Sequence, residues 1–172
     1  DKDSYGVPRS KSIQTTPAHQ LALAAVYYSP LQYMYWYDKP SDSQDEPELK
    51  FFDDVYTTWD DTKVLQGEVG EFITIARRKG EEWFIGSITN NEKRVLSVSL
   101  DFLPEGKNYI AEIYTDGDKS VKTRTKVRVS TYRVSNKTKL NFCLKASGGG
   151  AVRLVPDDGN IKSVKNYKQQ RL

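Results

Sequence analysis

RVLSVSL, residues Arg94–Leu100, decides the fold class. Successive side chains of an extended strand point to opposite faces, so Leu96, Val98 and Leu100 share one side while Val95, Ser97 and Ser99 share the other. KLNFCLK, Lys139–Lys145, repeats the pattern: Leu140, Phe142 and Leu144 face inward, and Lys139, Asn141, Cys143 and Lys145 face water. In Lys126–Val134, Val127 and Val129 are opposed by Lys126, Arg128 and Ser130. Strands with one dry and one wet face belong to antiparallel sheets.

Working outward, Thr57–Trp59, Lys63–Gly67, Phe72–Arg77, Trp83–Thr89, Tyr109–Asp116 and Ala151–Val155 also read as strands. Turn chemistry separates them: Arg78-Lys79-Gly80, Asn90-Asn91, Pro104-Glu105-Gly106, Asp116-Gly117-Asp118, Ser135-Asn136 and Gly148-Gly149-Gly150. Short strands at this spacing predict a mainly β chain folded as an antiparallel β-sandwich. The sandwich domain is set at residues 45–156, and the polar, basic residues 157–172 form a frayed tail.

Upstream the period changes. Asp45 caps a short helix with Glu46 and Glu48 in its first turn and Leu49, Phe52 and Val55 on one face. Asp38–Gln44 is turn chemistry and the expected domain boundary. Before it, TTPAHQLALAAVYYSPLQYMYWYDKP, Thr15–Pro40, predicts a helix with Thr16 as N-cap and Pro17 in the first turn. Ser29-Pro30 breaks it or starts a second helix, and Leu31–Tyr37 continues helical. Leu21 to Tyr28 is apolar or aromatic around the whole circumference, the mark of a helix buried on several sides. The remaining chain, mostly strand and turn, offers it no surroundings. Residues 1–40 are therefore expected to be a loop and helix belonging to a preceding domain, with Leu21, Leu23, Val26, Tyr33, Met34 and Trp36 packing at an interdomain or oligomer interface.

The charge balance, 26 Lys and Arg against 23 Asp and Glu, gathers no basic face for nucleic acid. No apolar run approaches membrane-spanning length. The single cysteine, Cys143, rules out a disulfide or a cysteine-based zinc site within the chain. His19, the one histidine, sits in the first turn of the helix, where imidazolium is disfavoured, and reads as a neutral, hydrogen-bonded structural residue. Asp116-Gly117-Asp118 is better explained as a turn than as a calcium loop, which needs six or more oxygens.

Acidic pairs occur at Asp53-Asp54, Asp60-Asp61, Glu68 with Glu71, and Glu81-Glu82. Each reads as solvated turn acid, facing Arg77, Arg78 or Lys79 across a hairpin, and no catalytic residue is assigned. Trp59 and Trp83 are candidate platforms for stacking on sugar rings, against the plainer use of Trp83 in the core.

TTPAHQLAL, VYYSPLQ, WYDKPSD, EPELKFFDDVYTTWDDT, LQGEVGEFITIARRKGEEWFIGSITN, LDFLPEG and YIAEIYTDG together resemble the C-terminal region of glycoside hydrolase family 97, over roughly residues 12 to 156. The resemblance implies that Thr15–Tyr37 is the last helix of a (β/α)8 catalytic barrel and that about Glu48–Pro156 is a C-terminal β-sandwich contributing to oligomerisation. It further implies a periplasmic or secreted enzyme acting on α-linked glucosides or galactosides, with catalytic carboxylates and calcium ligands upstream of this stretch. No metal or other cofactor is assigned to the residues here, and the implied partners are the barrel and a second copy. Two readings of other classes remain: a carbohydrate-binding module using Trp59 or Trp83, and an immunoglobulin-like adhesion domain, which lacks the Cys…Trp…Cys pattern.

Overall fold

A computed structural model describes residues 14–33, 36, 46–160 and 163–168. Helix α1 spans Pro17–Val26, and a 3-10 turn, Pro47–Leu49, leads into the short helix α2, Lys50–Asp54. Eight strands follow: β1 Asp61–Glu68, β2 Phe72–Lys79, β3 Glu82–Thr89, β4 Arg94–Ser99, β5 Asn108–Asp116, β6 Val127–Ser135, β7 Lys139–Leu144 and β8 Gly149–Pro156. Six form an antiparallel sheet in the order β1-β2-β3-β8-β5-β6, and β4 pairs with β7 as a small facing sheet. Leu96 opposes Phe142 and Val98 opposes Leu140, so the two alternating stretches read above are each other's partners.

Between the sheets lies the main core, built on Trp83, Ile85, Leu96, Val98, Leu100, Tyr109, Leu140, Phe142 and Leu154. The large sheet is also covered on its outer face. There α1 and α2 pack Ala18, Leu21, Ala25 and Phe51 against Phe84, Tyr114, Val127 and Ala151. The molecule is a sandwich with a third, helical layer.

Several expectations change. Thr57–Trp59 forms a bend, not a strand, so eight strands are observed among the described residues. Val129 is exposed: it lies on β6, at the sheet edge, two residues along from Val127, which the helical layer buries on the same face. Gly149 and Gly150 are not turn residues but open β8, buried beneath α1 and the core. On α2 the fully buried residue is Phe51, which reaches Phe84 and Tyr114, while Phe52 and Val55 are half-buried. The helix stops at Val26, and Leu31–Tyr33 are not helical. Asp38–Gln44, Asp45 and Met34 lie outside the described residues.

Part of the expected frayed tail is docked. Arg133 N–H donates to Lys165 O at 2.9 Å and Tyr167 N–H donates to Arg133 O at 3.0 Å, a parallel bridge on the outer edge of β6. Tyr167 packs edge-on to Tyr132 and its hydroxyl accepts from Asn141 N–H at 3.0 Å. Asp157 anchors the turn into this segment by pairing with the Arg133 guanidinium.

Candidate interdomain surface

The seating of α1 follows from residue size. Thr16 Oγ1 accepts from His19 N–H at 3.2 Å, and Pro17 fills the first turn where a missing N–H is harmless. The residues turned toward the sheet are small, Ala18, Ala22 and Ala25 among them, and two glycines lie beneath. A Cβ built on Gly86 would stand 2.4 Å from Ala22 O, and one on Gly149 would stand 2.5 Å from His19 Cα. Backbone therefore rests on backbone, and Leu21 and Val26 are consumed in this contact. They were expected at an interface with another domain or copy; instead the chain's own sheet covers them.

The far end of α1 is held by one buried cation. Arg77, only 4% exposed, donates through Nε to Ala25 O at 2.6 Å and through Nη2 to Val26 O at 2.9 Å. Its Nη1 reaches Thr62 Oγ1 at 2.8 Å, and its guanidinium lies 5.2 Å from the Tyr28 ring centre. Gln32 Nε2 donates to Ala24 O at 3.0 Å. These groups satisfy carbonyls that a helix C-terminus leaves open, and the positive charge complements its dipole. Arg77 was expected to face acids across a hairpin; it points at the helix because its strand position is on the outer face.

At the other end, His19 Nδ1 lies 3.0 Å from Gly148 O, which accepts its proton. Burial lowers the His19 pKa from its ordinary 6.5, although the Gly148 carbonyl and Asp116 oppose the shift. The folded state then binds fewer protons than the unfolded chain below that value, so stability falls as pH drops through 6.5 toward the lowered pKa. Urea melts between about pH 7 and pH 5 should show this slope, and His19→Gln should flatten it. An unchanged slope would remove His19 from the account.

What α1 leaves uncovered is the candidate surface. Leu23, Tyr27, Leu31, Gln32, Tyr33 and Phe52 line a groove of about 310 Å³. Tyr27, Tyr28 and Leu31 are exposed, and Tyr33 is 91% exposed. Trp36 is half-buried beside this patch, edge-on to Phe52 with ring centres 5.6 Å apart. Leu23, Tyr33 and Trp36 thus lie together, as a packing surface requires, while Leu21 and Val26 lie beneath.

Neither sugar-platform candidate offers an open ring. Trp83 is 4% exposed, packed on Phe102 at 4.7 Å, with Lys63 and Arg78 near its ring. Trp59 is half-buried against Phe84 and Tyr56. The acids are engaged structurally. Arg153 holds Asp54 at 2.7 Å, Glu82 at 2.9 Å and Glu112 at 3.6 Å, tying α2 to the sheet, and Lys50 shares Asp54 and Glu112. Asp60 accepts from Gly80 N–H and Lys79, which lowers its pKa, and Glu71 pairs with Arg94 at 2.8 Å. Sequence reasoning missed Arg77 and Arg153; one available signal was an arginine inside a strand pattern that is otherwise apolar.

Known proteins are similar to this chain in sequence and fold. The chain is 34% identical over 151 residues to a retaining alpha-galactosidase of Bacteroides thetaiotaomicron, covering 87% of this chain and 22% of that protein. It superposes with a TM-score of 0.75 and 37% identity on a glycoside hydrolase family 97 enzyme from Pseudoalteromonas sp. strain K8 solved with acarbose, over 83% of this chain and 23% of that one. A beta-arabinopyranosidase shares the fold, with a TM-score of 0.66 at 24% identity. The chain spans between a fifth and a quarter of the length of these relatives. Residues 58–155 match the family model described as glycosyl-hydrolase 97 C-terminal, oligomerisation, and the chain belongs to that family.

Proposed function

We propose that this chain is the C-terminal structural domain of a family 97 α-glycosidase acting on α-glucosides or α-galactosides, and that the groove beside α1 docks on the upstream (β/α)8 catalytic domain. One observation carries the reading: α1 buries one side in its own sheet, and Leu23 on its other side lines a groove with Tyr27, Leu31 and Tyr33 of the segment that follows. An apolar patch of this kind, beside a helix seated on the sheet, is an interaction surface. Support comes from relatives several times longer than the chain. In this reading residues 1–40 lead out of the barrel, with α1 seated on the sandwich between the two domains, and the enzyme works in the periplasm or outside the cell.

The chain supplies no chemistry of its own. Glycoside hydrolysis needs two carboxyl groups roughly 5–9.5 Å apart across the scissile bond. Asp54, Glu82 and Glu112, the acids gathered here, are paired with Arg153 and Lys50. Nor do the described residues group three or more His, Cys, Asp or Glu side chains to hold a metal. The calcium implied by the family resemblance would be held by residues upstream of this domain.

With calcium added, the chain should release no p-nitrophenol from α-glucoside or α-galactoside substrates. Turnover abolished by Glu68→Gln or Glu71→Gln would overturn the assignment. In the full-length enzyme, Leu31→Asp with Tyr33→Asp should speed hydrogen exchange on the barrel surface that faces the groove; unchanged exchange there would refute the docking.

A further inference from the structure

We infer that two copies of this chain associate through their β1 strands, set antiparallel about a two-fold axis. The inference rests on the preceding reading, which commits the α1 groove to the catalytic domain and leaves self-association to another surface. It names that surface for a family described by oligomerisation.

The two edges of the large sheet differ. The β6 edge carries the docked segment around Lys165–Tyr167. The β1 edge is bare: among the described residues β1 pairs only with β2. Beside it Val64, Val69, Phe72, Ile73 and Ile88 line a hollow of about 550 Å³, to which no α1 residue contributes. Val64 is 67% exposed and Val69, at the hairpin tip, is 99% exposed. Exposed valines bordering an apolar hollow on an unpaired strand are a surface awaiting a partner.

The order of residues along β1 says which partner. A two-fold operation makes the patch meet itself, so the strand must be self-complementary. Placing Lys63 of one copy opposite Glu68 of the other also places Val64 opposite Gly67, Leu65 opposite Gln66, and the same pairs again across the axis. Facing matches as well. Lys63 and Glu68 oppose Ala76 and Phe72 on the core side of β2, whereas Val64 and Gly67 oppose Ile75 and Ile73 on the outer side. Each opposite-charge pair is thus on one face, and each Val64 lies over a residue with no side chain. A register with Asp61 opposite Glu68 would set like charges together. A bulge between Val64 and Gln66 interrupts the backbone ladder, so the contact rests on the two ion pairs and the apolar hollow. In the free chain Lys63 lies 3.5 Å from Asp61, both well exposed, a pair weak enough to exchange.

Sedimentation velocity of the 172-residue chain over a concentration series tests this. The parent should dimerise reversibly. Val64→Asp should leave it monomeric with an unchanged circular dichroism spectrum. K63E and E68K should each weaken the dimer about tenfold, and the double variant K63E/E68K should restore it, because the pairs re-form with their signs exchanged. A parent that stays monomeric, or a double variant as weak as the singles, would overturn the inference. A dimer lost only on Leu31→Asp would overturn it too and would also displace the barrel from the α1 groove. Failure of the catalytic-domain docking alone would leave the β1 result standing.

Discussion

Gly86→Val should lift α1 off the sheet and cost about 3 kcal/mol or more, the upper range for forcing volume into a packed site. The residue is mid-strand with an ordinary extended backbone, and valine is a better strand former than glycine. Any loss of stability therefore reports the contact above it. That contact is unforgiving: a Cβ would meet Ala22 O at 2.4 Å, Val26 Cγ2 at 2.9 Å and Ala25 Cβ at 3.1 Å. The nearest atom is helix backbone and cannot rotate away. Lifting the helix uncovers Leu21, Ala25, Phe84 and Ala151 together. Urea denaturation gives the magnitude, and hydrogen exchange gives the location: α1 amides should lose protection while β4 and β7 keep theirs. A variant as stable as the parent would mean that α1 does not sit where this packing puts it.

The contrast between α1 and the small sheet explains what could be read from the sequence. β4 and β7 each bury one face and wet the other, so Leu96, Val98, Leu140, Phe142 and Leu144 announced themselves by alternation. β3 lies under α1 on one side and over the core on the other, and its continuous apolar run was legible as a strand without showing why both sides were dry. The partner of α1 was hidden because its evidence is non-local. Gly86 and Gly149 are far from the helix in sequence, and each has its own innocent reading, a mid-strand glycine and a turn. Small residues facing small residues leave no amphipathic stripe, so α1 read as a helix that nothing in the chain could cover.

The same logic governs the surfaces. Tyr27, Leu31 and Tyr33 were visible as a greasy stretch, but which side of α1 stays open depends on where the sheet lies. The docked Tyr167 depends on two main-chain hydrogen bonds and one hydroxyl, and none of these has a periodicity to detect. Trp83 looked equally suited to a sugar or a core, and its burial against Phe102 follows from facing the inner side of β3.

Arg77→Met should destabilise the chain by about 2–4 kcal/mol, because it removes charged hydrogen bonds and leaves carbonyls stranded. Ala25 O and Val26 O lose their donors in a place that α1 and the sheet already close to water. The methionine retains most of the stem's packing, so the deficit isolates the guanidinium. Among the described residues no carboxylate pairs with this charge; the helix end and the Tyr28 ring complement it, while burial lowers the Arg77 pKa. Arg77→Lys should recover only part of the loss, since one ammonium cannot span Ala25 O, Val26 O and Thr62 Oγ1 as the planar fork does. The defect should also spread to the surface that α1 presents: a helix without its C-terminal clamp holds Tyr27 and Leu31 loosely, so in the full-length enzyme the groove should exchange faster. Stability within about 0.5 kcal/mol of the parent would show that water caps the helix and that Arg77 merely lies beside it.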